Sequence, residues 1–124
     1  MKYYYAAAAL LITGAALLAF PQTTEELDSI KVCAATQKLI FENAFVRIID
    51  DRIPPGVTEP KHQHKHGVTI SISAYDLEQV IYPEGRVVKG RREGGGAANW
   101  SEAIIHTVKN TGTTESHTVR IELK

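Results

Sequence analysis

The chain has 124 residues, with fourteen basic and fourteen acidic side chains, five histidines and one cysteine. That length suits a single domain, and a balanced charge with no basic stripe argues against a nucleic-acid partner. The lone Cys33 excludes an internal disulfide. It reads as a free or buried thiol, with a reactive or intermolecular thiol as the other reading.

Lys2 is followed by the apolar stretch Ala6 to Phe20, broken by Thr13 and Gly14. As a helix its fifteen residues span roughly 22 Å, short of a ~30 Å hydrocarbon core. This predicts an N-terminal signal helix over residues 1–20 and an exported protein, periplasmic or secreted. An uncleaved anchor is the alternative, and would be the chain's one membrane contact. Small residues suitable for cleavage occur at Gly14-Ala15-Ala16 and at Ala19. Residues 21–38 are polar and mixed, and read as a linker with one short helical turn.

From Leu39 onward the signals are those of strands. Leu39–Glu42 and Phe45–Arg52 are rich in Phe, Val and Ile, and Pro54-Pro55-Gly56 marks a turn. Val68, Ile70 and Ile72 alternate with Thr69, Ser71 and Ser73, which predicts a strand burying its apolar side. Leu77–Tyr82, the turn Pro83-Glu84-Gly85 and the polar Arg86–Arg92 follow. Gly94-Gly95-Gly96 reads as a flexible turn, since it lacks the lysine and serine or threonine of a phosphate loop. Ile104–Lys109 and Thr118–Leu123 flank a hairpin signal, Asn110 to Thr113, with Val119, Ile121 and Leu123 on one side. Short strands with regular turns predict an all-β sandwich or barrel over residues 39–124.

Three of the histidines fall in His62-Gln63-His64-Lys65-His66. On a strand His62 and His64 project from one face, and His66 joins them if the strand stays regular. Two imidazoles at that spacing can share a metal. A solvated polar edge strand is the competing reading, and H-x-H alone does not separate the two. No Ser-His-Asp or Cys-His arrangement can be built from local sequence. Trp100 reads as packing at a barrel end, with a pocket wall as the other reading. Tyr75 and Tyr82 read as strand-end packing.

Gly56, His62 and His64 reproduce the opening of the first cupin motif, G-x5-H-x-H-x3,4-E-x6-G. His106 and Asn110 reproduce the H-x3-N ending of the second. From about Phe41 to Lys124 the chain resembles the cupin superfamily. Two departures stand out. Val68 and Thr69 occupy the positions of the family glutamate. Glu102 and Ile104 replace the proline and glycine of the second motif, with His106 one residue early.

The resemblance implies a cupin-type double-stranded β-helix, or jelly-roll barrel, behind the signal helix. It implies that His62, His64 and His106 point inward and hold a divalent transition metal: Fe, Zn, Mn, Ni or Cu, since imidazole suits several. A fourth ligand is expected at His117 or His66. A two-residue hairpin loop at Thr111-Gly112 would set His117 opposite His106, whereas a longer loop could turn it outward. Glu102 is expected in a solvated turn, with the rim of the site as the alternative. The expected function is a metal-binding small cupin, with oxygenase-like chemistry on a small molecule, or isomerase or lyase chemistry. The alternative is a non-catalytic periplasmic module that binds a small molecule or metal, and a fold that merely retains its histidines is a third. By resemblance the chain forms a homodimer.

Overall fold

The computed structural model describes residues 21–124, so the expected signal helix lies outside the described residues. The described residues run through a helix α1 (Ser29–Val32) and nine strands. These are β1 (Gln37–Glu42), β2 (Val46–Ile53), β3 (Thr58–His64), β4 (Gly67–Ser71), β5 (Tyr75–Tyr82), β6 (Arg86–Arg92), β7 (Ala97–Ser101), β8 (Ile104–Asn110) and β9 (Ser116–Leu123). They form two antiparallel sheets, ordered β1-β2-β9-β4-β7 and β3-β8-β5-β6. Both sheets line one cavity. Among the described residues no helix is long and apolar enough to cross a membrane.

Turn chemistry explains how the chain changes sheets. After β2, Gly56 adopts a φ of +77° and Val57 N donates to Pro54 O at 3.1 Å. Proline fixes the first half of such a turn and glycine accepts the left-handed second half. This turn carries the chain to β3 in the other sheet. Gly67 has a different reason to be glycine: a Cβ there would stand 1.9 Å from Ile121 O, in the paired β9 backbone.

The segment expected as a linker is built into the domain. Asp28 caps α1 by accepting from Ile30 N at 2.9 Å. Gln63 N in β3 donates to Leu27 O at 2.7 Å. Leu27, Cys33 and Gln37 are all buried.

Strand alternation runs as expected, but its sense is reversed. Inside β9 lie Ser116, Thr118, Arg120 and Glu122, all buried, while Val119, Ile121 and Leu123 face outward and are half-buried. In β4, Thr69 and Ser71 line the cavity, and the apolar Val68 and Ile70 are on the other face. The barrel interior is therefore largely polar. Its apolar core is a small cluster of Ile53, Tyr75, Leu77 and Val108. The exterior of the five-stranded sheet carries a row in register: Phe41, Ile48, Ile121, Val68 and Trp100.

The expected hairpin at Asn110–Thr113 is instead a crossing between sheets, because β8 pairs with β3 and β5, whereas β9 pairs with β2 and β4. Asn110 organises it. Its Nδ2 donates to Ile53 O and Thr114 O, both at 2.8 Å, and its Oδ1 accepts from Gly112 N at 2.9 Å. The side chain thus satisfies backbone groups that a ladder would otherwise serve. The glycine loop is tied down too, through Gly95 N to Ile72 O and Gly96 N to Ser71 O.

Candidate metal centre

The β3 ladder slips by one residue between Glu59 and His62. Before the slip Glu59 pairs with Val108, and after it His62 pairs with His106. Pro60 sits in the slip and has no N–H to give the ladder, a common reason for a bulge. The extra residue changes parity. Glu59, His62 and His64 therefore all lie buried, although 59 and 62 could not share a face of a regular strand.

His62, His64 and His106 converge. Nε2 of His62 lies 3.1 Å from Nε2 of His64 and 3.1 Å from Nε2 of His106. The ligand atoms of all three lie within 4.8 Å of one another. Each ring is fixed from behind. His62 Nδ1 donates to Pro60 O at 2.7 Å, His64 Nδ1 to Glu122 Oε1 at 2.6 Å, and His106 Nδ1 to Gln79 Oε1 at 3.0 Å. With each proton on Nδ1, three Nε2 lone pairs face a common point.

Burial keeps two of the rings, His64 and His106, neutral. It pushes His106 down to about 2, aided by His62, His64 and Arg120. It also holds His64 well below its ordinary value, with the charge of Arg120 next in effect. The nearby Glu122 carboxylate favours an imidazolium at His64, but Arg47 holds that carboxylate at 2.9 Å. We therefore read His64 as a neutral donor to Glu122.

Imidazole nitrogens with lone pairs turned together repel unless a cation lies between them. At metal–nitrogen bonds of ~2.0–2.1 Å, right-angled ligands stand roughly 2.9 Å apart and tetrahedral ones roughly 3.4 Å. The observed 3.1 Å falls in that interval. A carboxylate, amide or carbonyl behind each ring is the support that metal-bound histidines receive. The residues present fit a divalent transition metal.

The other expected ligands stand elsewhere. His117 faces outward on β9 and pairs with Asp50 Oδ1 at 2.7 Å, since the sheet crossing at Asn110 removes the register that would set it opposite His106. His66 lies beyond the end of β3, exposed, with its ring 5.8 Å from that of Trp100. Glu102 is exposed and accepts from Trp100 Nε1 at 2.6 Å, yet it also lines the cavity. Val68 faces out, and Thr69 faces the cavity, where it accepts from Arg120 Nη1 at 3.1 Å.

An acid does approach the cluster from an unforeseen place. Glu59 Oε2 lies 3.7 Å from His62 Nε2. Gln37 Nε2 donates to both its oxygens, at 3.1 and 3.2 Å, and the Thr36 hydroxyl donates to one. Asp51 beside it is held well above the usual carboxylate range by burial and then by the charge of Glu59. Buried Cys33 completes a second grouping with Glu59 and His62, and burial raises its thiol pKa. Glu59, Glu122, Gln79 and Arg120 were not singled out from sequence. Glu122 and Arg120 carried a signal in the polar alternation of β9; Glu59 carried none, because its inward turn depends on the bulge.

His64 and His106 border a cavity of about 600 Å³. Its wall includes Tyr75, Gln79, Ile81, Trp100, Thr118 and Arg120. Fold and site together define an antiparallel two-sheet barrel with a trihistidine cluster in its interior. Solved structures share this architecture. A cupin domain from Bordetella pertussis Tohama I matches at 28% identity over 71% of this chain and 91% of that one, with a TM-score of 0.64. A Cupin 2 conserved barrel domain protein from Salinispora arenicola CNS-205 matches at 16% identity over 68% and 71%, with a TM-score of 0.50. No protein-family model and no curated protein matches the sequence. The chain is a small cupin-type domain with a candidate three-histidine metal site.

Proposed function

We propose that this domain is a metal-dependent enzyme of oxygenase type acting on a small molecule. The observation that carries the reading is the convergence of three Nε2 atoms, with His64 and His106 at the wall of a cavity large enough for a ligand. A metal held by three ligands keeps positions open, and there it could polarise a substrate or activate dioxygen. The protein's own residues would hold the three rings in one tautomer, bind the substrate in the polar cavity and restrict water through Ile81 at its wall. The test is metal analysis of untagged protein, followed by oxygen uptake of the iron-loaded form against thiols, diketones and phenols. Stoichiometric metal with uptake on one class supports the reading. Metal with ligand-induced thermal shifts but no turnover turns it into a non-catalytic binding module. No stoichiometric metal after reconstitution ends both.

Two further features belong to this reading. The apolar stretch Ala6–Phe20 supports export, which mass analysis of the processed N-terminus tests. The outer apolar row from Phe41 to Trp100, with Phe41 at 49% and Trp100 at 56% exposure, supports a homodimer. Light scattering of the wild type and Ile121→Glu tests it, and a monomeric wild type would refute it.

A further inference from the structure

Arg120 is a buried cation with too few partners. It is 8% exposed. Its Nη1 donates to Thr69 Oγ1 at 3.1 Å and its Nη2 to Lys65 O at 2.7 Å. A guanidinium has five N–H donors, and the buried Nε finds no acceptor. Glu122 Oε1 is 3.8 Å from Nε, but that carboxylate already serves Arg47 and His64. The other acids on the cavity wall are committed elsewhere. Asp51 is held well above the usual carboxylate range by burial and then by the charge of Glu59, Glu59 is bonded to Gln37 and Thr36, and Glu102 accepts from Trp100. No carboxylate is dedicated to this charge.

Its position gives that charge a use. Arg120 shares the cavity wall with His64 and His106. Exposed Arg86 and Arg92 line the same cavity, and Arg86 forms no ion pair among the described residues. At position 69, one of the two where the cupin motif would carry glutamate, a threonine instead binds this guanidinium. The charge at that corner is reversed from acid to base.

Resting on the metal-dependent reading above, we infer that Arg120 is the docking residue for a small carboxylate ligand, held between its guanidinium and the open face of the three imidazoles. A planar guanidinium fits a carboxylate with two parallel N–H···O bonds. Burial in a low-dielectric wall strengthens them, and the ligand supplies a counter-charge of its own to Arg120, which otherwise shares Glu122 with Arg47. Serine and threonine side chains of β4 and β9 (Ser71, Ser116, Thr118) give wall hydroxyls for further ligand oxygens.

Calorimetric titration of zinc-loaded and metal-free protein with malonate, neutral malonamide and inorganic phosphate tests this. Malonate should bind the wild type, and malonamide should bind at least about tenfold more weakly, the loss expected when one charge-assisted pair is missing. Arg120→Met should weaken malonate by about tenfold or more with zinc content unchanged, whereas Arg86→Met should reduce it less. Failure of malonate to bind, equal affinity for malonate and malonamide in the wild type, tighter binding of phosphate than of malonate, or undiminished binding by Arg120→Met would each overturn the assignment. The wild-type comparison stands whether or not the variant folds. If no metal is taken up but malonate binding still depends on Arg120, the metal-dependent reading fails and the docking residue stands.

Discussion

His64 Nδ1 and Glu122 Oε1 meet at 2.6 Å, joining β3 to β9 across the two sheets. Glu122 is fully buried and also binds Arg47, which reaches Asp28 at 2.7 Å. One carboxylate therefore sets the ring of a candidate ligand, ties the sheets together and anchors the segment before β1.

Glu122→Gln keeps the shape but removes the charge that orients His64. Loss of such support lowers metal affinity by roughly 10–100-fold. Chelator competition on the variant should show this with all three histidines intact. Unchanged affinity would mean that Glu122 acts only on the fold. Glu122→Ala should cost about 3–5 kcal/mol of stability, because it leaves Arg47 with Asp28 alone and takes from buried Arg120 the carboxylate it shares.

His106→Ala should abolish stoichiometric metal uptake, because it leaves two of three converging donors. His66→Ala and His117→Ala should each bind metal as the wild type does, since His66 is exposed and His117 is held by Asp50 on the outer face. Elemental analysis of the three variants decides the matter, and loss of metal in His117→Ala would contradict the outward orientation.

Acidification should weaken the metal-free fold. His106 is pushed down to about 2 in the folded state, whereas an unfolded histidine titrates near ~6.5. Between those values the unfolded chain binds a proton that the folded chain refuses, so stability falls as pH drops below ~6.5. At pH 5 this one group costs about 2 kcal/mol relative to pH 8. Asp51, raised in the folded state, acts in the opposite sense: its contribution is present at low pH and is lost as pH rises through its folded value. Urea unfolding of the wild type and His106→Gln at both pH values isolates the histidine, and the variant should lose that part of the slope. Identical slopes would refute the assignment.

Asn110→Ala should destabilise the domain by roughly 2–3 kcal/mol. It removes the donor shared by Ile53 O and Thr114 O and the acceptor for Gly112 N, leaving backbone groups unpaired. Thermal unfolding measures the loss. Metal uptake should survive at low temperature, because Asn110 touches none of the three rings.

The sequence was most legible where chemistry is local. Proline and glycine at positions 54–56 mark a turn wherever they occur, and the period of two in Val68–Ser73 and Thr118–Leu123 marks strands in any context. The H-x-H spacing gave the pairing of His62 with His64, and the motif brought in His106. The face each strand would bury was not legible. Alternation tells which residues go together but not which set goes inside, and a polar cavity reverses the usual answer.

The sequence by itself determined an all-β chain and which histidines could meet, because turns and strand period depend on neighbouring residues alone. Tertiary structure decided the rest. The sheet crossing at Asn110 put β8 and β9 in different sheets and sent His117 outward. The bulge at Pro60 brought Glu59 in. The meeting of β3 and β9 across the cavity set Glu122 behind His64 and Arg120 on the cavity wall. Each depends on residues brought together from distant parts of the chain, where packing sets the geometry and local spacing does not.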